Sequence, residues 1–194
     1  MKTFFISTFF VVLIGAIYFG FMRKYETYEY EVLESFDEFE IRSYRSALFT
    51  EVEIASDNYK SASSQGFRIL AGYIFGGNEK DESIAMTTPV AMELSDSITM
   101  RFLVPAEYSK TTLPNPNDKR IVFKEQPAKI VAAIQFSGWA NDQKIDKYKS
   151  KLAQALKKEG LAHSSTFTFL GYNAPYDPVN RRNEVIVELI DYQK

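Results

Sequence analysis

Apolar and polar residues alternate over several stretches of the chain, and this two-residue period predicts β-strands. Two or three such stretches lie between residues 28 and 54. The clearest of them places four side chains on one face: Leu48, Thr50, Val52 and Ile54. Further strands are expected at residues 86–94, 98–104, 121–123, 130–136, 166–171 and 183–190. The chain is therefore expected to build a sheet of several strands.

Two other segments repeat their apolar residues every three to four positions, which predicts amphipathic helices. The first follows an N-cap at Asp57 and ends at Gly76-Gly77. Its apolar face consists of Tyr59, Ala62, Ser63, Gly66, Phe67, Leu70, Tyr73 and Ile74. The second begins near Asn141 or Asp142 and ends at Gly160, and its buried side consists of Ile145, Tyr148, Leu152, Ala155 and Leu156.

The order strand, strand, helix, strand, strand occurs twice, and the second copy follows the first at a distance of roughly 85 residues, judged from the positions of the two helices. A proline also stands in or beside the first strand after each helix, at Pro89 and Pro175. Two ββαββ halves can share one sheet with a helix covering each, so the sequence predicts a pseudo-symmetric α+β fold. With 194 residues and 45% hydrophobic residues, the chain can build one such domain.

No charged residue occurs between Phe4 and Met22, and a helix of this length, at about 1.5 Å per residue, crosses the hydrocarbon core of a bilayer. We therefore expect residues 1–24 to form the transmembrane anchor of a single-pass membrane protein, and residues 25–194 to form its folded domain. A cleaved signal peptide is the alternative, although an A-x-A-like cleavage site is missing. Similar basic charge on both sides of the anchor leaves its orientation open.

Composition excludes several classes of chemistry. The chain has no cysteine, which excludes disulfides, thiolate metal sites and thioether haem attachment. The net charge is −2 and no basic cluster occurs outside the N-terminus, so nucleic-acid binding is not expected. Nucleophile elbows, HExxH zinc motifs, EF-hand loops and dinucleotide-binding glycine motifs are all missing. The sequence therefore favours a binding protein over an enzyme.

The most distinctive segment is Gly171–Val187, which reads GYNAPYDPVNRRNEVIV. Its prolines and glycine restrict or shape the backbone, and its tyrosines are expected on the surface. Arg181 and Arg182 place two guanidinium groups beside apolar surface, which suits a planar anionic ligand. The alternative is a structural hairpin in which both arginines pair with carboxylates.

The sequence resembles the SOUL haem-binding protein family from about Tyr28 to Leu189. The motifs that carry the resemblance are YEVLESFDEFEIRSY at 30–44, GGNEK at 76–80, IAMTTPV at 84–90, FSGWA at 136–140, GYNAP at 171–175 and RRNEV at 181–185. The resemblance implies a distorted antiparallel β-barrel of two pseudo-symmetric halves with two flanking helices. It also implies reversible, non-covalent binding of haem or a related tetrapyrrole.

The resemblance further implies an apolar groove between the first helix and the loop before Arg181, with basic side chains near the propionates of the ligand. The matching positions are Phe67, Arg68, Leu70, Tyr73, Ile74, Tyr172, Pro175, Tyr176, Arg181 and Arg182. Two positions depart from the family pattern. Ser43 stands where some members carry a histidine that has been regarded as the iron ligand, and Asp177 stands where some relatives carry a lysine. A carboxylate at Asp177 would repel propionates unless Arg68, Arg181 or Arg182 compensates, or unless the ligand is less anionic.

Tyr176 and His163, the only histidine, are weak candidates for an iron ligand, because both residue types can ligate haem iron. Together these features predict a membrane-tethered domain that carries or buffers haem or a related tetrapyrrole without chemistry of its own. The alternative is a sensor or interaction module of the same fold, which binds another flat hydrophobic molecule or a protein partner.

Overall fold

The computed structural model describes residues 25–56, 58–95, 97–174, 177 and 179–192. Within those ranges no helix has the length and apolar character needed to span a bilayer, and the anchor predicted at residues 4–22 lies outside them. The helices are α1 (Tyr59–Ile74) and α2 (Asp142–Lys158). The strands are β1 (Glu26–Thr27), β2 (Tyr30–Ser35), β3 (Glu40–Tyr44), β4 (Ala47–Ile54), β5 (Thr87–Thr88), β6 (Val90–Leu94), β7 (Ile98–Leu103), β8 (Val122–Gln126), β9 (Lys129–Ser137), β10 (His163–Gly171) and β11 (Arg182–Leu189).

Nine strands form one antiparallel sheet in the order β2-β3-β9-β11-β10-β6-β7-β4-β8. The units β4-α1-β6-β7 and β9-α2-β10-β11 are equivalent in order, and β6 pairs with β10 where the two units meet. The strand that precedes each unit in sequence pairs with the first strand of the other unit. Thus β3, which precedes β4, pairs with β9, and β8, which precedes β9, pairs with β4. The internal repeat is thus visible in the topology.

The sheet is a curled half-barrel, with β2 and β8 as the outer strands of the described order, whereas the sequence resemblance implied a distorted barrel. The stretch predicted as one strand at residues 86–94 is two strands, β5 and β6, separated at Pro89. Proline lacks the N–H group that a continuous ladder needs at this position. The short strand β5 pairs in parallel with β1, so the start of the domain lies beside the segment that precedes β6.

Both helices begin at an asparagine. The Asn58 side-chain oxygen accepts a hydrogen bond from the Ser61 amide at 2.8 Å, and Asn141 accepts one from the Lys144 amide at 2.8 Å. The predicted N-cap at Asp57 was therefore wrong by one residue. Asparagine is among the best N-cap residues because its oxygen satisfies an amide that has no partner within the helix.

The GGNEK motif is a turn that ends α1. Gly76 has a positive φ of 106°, a conformation that favours glycine. Asn78 is buried, and its side-chain amide donates to the carbonyls of Tyr73 and Glu82 while its oxygen accepts from the amides of Lys80 and Glu82. This set of bonds satisfies buried backbone groups, so the motif has a structural role.

The main core lies between the helices and one face of the sheet, with α1 over β4 and β7 and α2 over β9 and β11. The inner face on the opposite side has a smaller apolar cluster, which consists of Tyr44, Ala91, Val131, Ala133, Leu170 and Ile186. Tyr28, Tyr30 and Tyr172 pack against this cluster. The polypeptide from β1 to β2 therefore covers the inner face with aromatic side chains.

Candidate functional site

Arg181 and Arg182 point to different parts of the molecule. Successive side chains of an extended chain alternate between its two sides, and Arg181, the residue before β11, and Arg182, its first residue, follow that rule. Each guanidinium lies 4.1 Å from the centre of an aromatic ring, Arg181 over Trp139 and Arg182 over Tyr172. Both contacts have the geometry of a cation–π interaction. The paired arginines thus contribute to two separate surfaces.

On the first surface, Arg181 holds the loop that precedes β11. Its Nη1 donates to the carbonyl oxygens of Ala174 at 2.9 Å and Asp177 at 2.6 Å. Its Nε is buried and forms no hydrogen bond within the described part of the chain. Trp139, which Arg181 covers, is more than half exposed. This arginine therefore stabilises the loop and leaves one side of an indole ring in solvent.

On the second surface, Arg182 belongs to a buried ionic network centred on Glu184. Glu184 is fully buried, and its carboxylate accepts from Nη1 and Nη2 of Arg42 at 2.8 and 3.2 Å. It also accepts from Nε and Nη2 of Arg182 at 3.0 and 2.7 Å, and from the Tyr172 hydroxyl at 2.9 Å. Burial by itself lowers the pKa of Arg42, but the hydrogen bonds and charge of Glu184, together with Tyr44 and Glu40, raise it above its ordinary value. Arg42 and Arg182 therefore both stay protonated at physiological pH.

Beside this network lies an open pocket of about 560 Å³, which we call the tyrosine pocket. Two arginines and two glutamates line it together with tyrosines and small polar residues: Thr27, Tyr28, Glu29, Tyr30, Glu31, Ser43, Arg45, Tyr172 and Arg182. The Tyr30 hydroxyl accepts from Arg182 Nη2 at 2.9 Å, and the Tyr28 hydroxyl donates to the Arg45 carbonyl at 2.9 Å. A pocket of this size is in the range that holds a small organic ligand.

Burial keeps the phenols of Tyr28, Tyr44 and Tyr172 protonated at physiological pH. Burial raises the pKa of Tyr28 and of Tyr44 to about 12, and it raises the pKa of Tyr172 as well. Neutral phenols can stack on a ligand and donate hydrogen bonds. Iron ligation by a tyrosine requires the phenolate, which these raised pKa values oppose.

The structure places most of the predicted helix residues in the core. Leu70 is 0%, Tyr73 2% and Ile74 4% exposed, because this face of α1 packs against the sheet. Phe67 is half-buried with its ring 5.5 Å from that of Phe102, and Arg68 is exposed. The role of these residues in a ligand groove stays a prediction. For Leu70, Tyr73 and Ile74, contact with a ligand would require this face of α1 to separate from the sheet.

Asp177 is turned into its own loop. Its carboxylate accepts from the Asn173 side chain at 2.8 Å and from the Val179 amide at 3.2 Å. These bonds, with the one from Asn173 as the stronger influence, lower the pKa of Asp177. The residue that departs from the family pattern thus shapes the loop, although its negative charge remains. Pro175 and Tyr176 lie outside the described residues, so their place in the site stays a prediction.

His163 lies at the opposite end of β10 from the loop. The strand has nine residues, which at about 3.3 Å per residue separates His163 from Gly171 by about 26 Å. Its Nδ1 is 2.7 Å from the Ser164 carbonyl oxygen, and its ring packs edge-on against Phe167. At that distance it cannot ligate an iron atom held beside Tyr172. The described ranges contain no group of three or more His, Asp or Glu placed to hold a metal ion.

Sequence reasoning missed the partners on the inner face, which are Tyr28, Tyr30, Arg42, Arg45 and Glu184. One signal for them was present, because Glu184 is a charged residue inside an otherwise apolar strand, and a buried charge requires a partner. Arg42 is separated from Glu184 by 142 positions, so no local pattern connects them.

Comparisons of the sequence with known proteins identify similar chains. A family model described as SOUL heme-binding protein matches residues 25–188. Heme-binding protein 2 of Mus musculus is 30% identical over 156 residues, which cover 76% of this chain and 76% of that protein. Heme-binding protein 1 of Xenopus laevis is 28% identical over 155 residues, which cover 76% of this chain and 81% of that protein.

Solved structures show the same fold at low identity. The C-terminal domain of EcmrR superposes with a TM-score of 0.63 at 10% identity, covering 84% of this chain and 99% of that domain. A hydrolase from Listeria innocua superposes with a TM-score of 0.58 at 9% identity, covering 79% of this chain and 92% of that one. At such identities the likeness concerns the fold alone.

Proposed function

Because the chain belongs to the SOUL haem-binding family, we propose that its domain binds haem or a related tetrapyrrole non-covalently, as a carrier or buffer without catalysis. The observation that supports this best is the pair of arginines at the start of β11. Each guanidinium is held over an aromatic ring at 4.1 Å, so a fixed cation stands beside a flat apolar surface. A planar ligand with carboxylate groups is complementary to such a surface.

Haem titration of the full-length chain in detergent tests this function. We expect a saturable shift of the Soret band with micromolar or tighter affinity. The double variant Arg181→Ala/Arg182→Ala should bind at least about tenfold more weakly, because a hydrogen bond to a charged group contributes about 1.5–3 kcal/mol. Circular dichroism should establish that the variant remains folded.

The control is Arg120→Ala, which removes one arginine, against two in the test variant, from an exposed pair with Asp118. Its affinity should equal that of the wild type. Absence of a saturable shift for the wild-type chain would refute haem binding. Equal weakening in Arg120→Ala would show that overall charge, and not the loop arginines, controls binding.

We further propose that residues 4–22 tether the domain to a membrane, on the basis of their uncharged sequence. After carbonate washing of membranes from expressing cells, the full-length chain should stay in the pellet, and a chain that begins at Tyr25 should appear in the supernatant. Release of the full-length chain would exclude a transmembrane anchor. N-terminal sequencing of the extracted protein distinguishes a retained segment from a cleaved signal peptide.

A further inference from the structure

The two arginine surfaces differ in how their charge is used, and we infer that the tetrapyrrole stacks on the part of Trp139 that Arg181 leaves open and places one carboxylate on Arg181. On this assignment Arg182 serves the fold. The inference rests on the proposed function and names two residues that contact the ligand. It gives a role to the FSGWA motif, which contains the one tryptophan of the chain.

The first argument is that the charge of Arg182 is compensated inside the protein and that of Arg181 is not. Nε and Nη2 of Arg182 both donate to Glu184, and Nη2 also donates to the Tyr30 hydroxyl. Arg181 donates from Nη1 to two loop carbonyls. It forms no ion pair within the described ranges, and the hydrogen bonds found there do not involve its Nη2. A terminal nitrogen on an oriented guanidinium can therefore donate to a ligand carboxylate.

Two carboxylates belong to the segments around this surface. Asp177 is in the loop that Arg181 holds, and its oxygens accept from a side chain and an amide of that same loop. Asp142, at the start of α2, accepts from the Tyr59 amide at 2.6 Å. Each carboxylate thus has an amide partner, and the ion pairs of the described residues join neither of them to Arg181. The positive charge of this guanidinium remains for a ligand.

The second argument is that the two aromatic rings differ in exposure. The Tyr172 hydroxyl donates to Glu184 at 2.9 Å, and its ring packs against the apolar cluster of the inner face. Trp139 is 56% exposed. An indole has a large flat surface for stacking, and a porphyrin ring is a flat partner for it. Trp139 therefore offers a free aromatic surface directly beside the uncompensated cation.

The third argument is that the backbone around Trp139 is held in place without a ligand. Gly138 has a positive φ of 79°, which favours glycine, and its carbonyl accepts from the Asn183 side chain at 2.7 Å. The Ser137 carbonyl accepts from Lys144 Nζ at 2.6 Å. These bonds fix both residues that precede Trp139. A ring that is positioned before binding costs little conformational entropy when a ligand stacks on it.

The first experiment compares zinc protoporphyrin IX with its dimethyl ester, which lacks free carboxylates. Both are titrated into the full-length chain in detergent, with detergent alone as the blank. The wild-type chain should bind the acid at least about tenfold more tightly than the ester, because hydrogen bonds between charged groups are strong. Arg181→Gln should bind the two forms equally, whereas Arg120→Gln, at an exposed pair with Asp118, should keep the wild-type preference. Comparing two ligands within one variant separates the carboxylate contact from any effect on the loop.

The second experiment uses Trp139 itself as the reporter. An isotope-labelled chain has a single indole N–H signal in its NMR spectrum, because it has one tryptophan. The ring current of stacked zinc protoporphyrin IX, which is diamagnetic, should shift this signal and leave the ring signals of His163, at the far end of β10, unchanged. Trp139→Leu should weaken binding about two- to tenfold through lost stacking, and Trp139→Phe, which keeps a ring, should restore most of the affinity.

The outcomes separate this inference from the proposed function. An acid preference that persists in Arg181→Gln, or one that is already missing in the wild type, would overturn the carboxylate contact. Saturable binding with an unchanged indole signal would overturn the stacking on Trp139. In these cases the proposed function stands. A wild-type chain that shows no saturable Soret shift with haem would refute the proposed function itself.

Discussion

Replacing Glu184 by alanine is expected to lower the free energy of unfolding by about 3–5 kcal/mol, the range found when one partner of a buried ion pair is removed. The carboxylate is fully buried and accepts hydrogen bonds from Arg42, Arg182 and Tyr172. Without it, the Arg42 guanidinium, itself 3% exposed, keeps only Glu40 as a counter-charge. Urea denaturation followed by circular dichroism measures the loss.

The matched control for this variant is Glu51→Ala. Glu51 pairs with Arg101 at 2.7 Å, as does Glu93, and all three side chains are partly exposed. Removing Glu51 leaves Arg101, whose side chain is 11% exposed, with Glu93 as a remaining carboxylate partner, so the loss should be smaller than for Glu184→Ala. Equal losses for Glu184→Ala and Glu51→Ala would contradict the assignment of the Glu184 network as a buried, strongly coupled element.

The second large effect is expected for Leu70→Ala, which should lower the free energy of unfolding by about 2–5 kcal/mol. Leu70 is completely buried between α1 and the sheet, so the substitution removes core contacts and leaves a cavity. The haem affinity of the folded variant should equal that of the wild type, since the completely buried Leu70 side chain presents no surface to a ligand in this structure. Thermal denaturation and haem titration of the same preparation measure the two quantities.

Phe75→Ala provides the control at the end of the same helix. Phe75 is exposed, and its loss should change stability by no more than about 0.5 kcal/mol. If Leu70→Ala instead preserved stability and weakened haem binding, α1 would be the wall of the ligand groove that the family resemblance implies. The pair of variants thus separates a core role for this helix face from a binding role.

Local patterns predicted most of the elements. The heptad-like spacing of apolar residues marked both helices, and Gly76 and Gly160 marked their ends, because a left-handed residue after the last turn favours glycine. The internal repeat followed from element order alone. The errors were also local: Asn58 and not Asp57 caps α1, and Pro89 divides a strand that its apolar neighbours predicted to be continuous.

The site was less predictable than the fold. Arg181 and Arg182 were identified from their residue type, but the sequence treats them as one pair, whereas the structure sends them to Trp139 and Tyr172 on separate surfaces. Likewise, the apolar face of α1 has the same pattern whether it covers a sheet or lines a groove. Periodicity shows that a face is apolar and does not show what covers it.

By itself, therefore, the sequence determined the α+β class, the two equivalent halves and the family of this protein, since these depend on periods of two and 3.6 residues and on short motifs. Only the tertiary structure decided that Glu184 meets Arg42 across 142 positions, and that Tyr28 and Tyr30 line a pocket with Arg182. The physical reason is that strand pairing brings distant residues together. No local pattern encodes which buried charges become partners when the sheet curls.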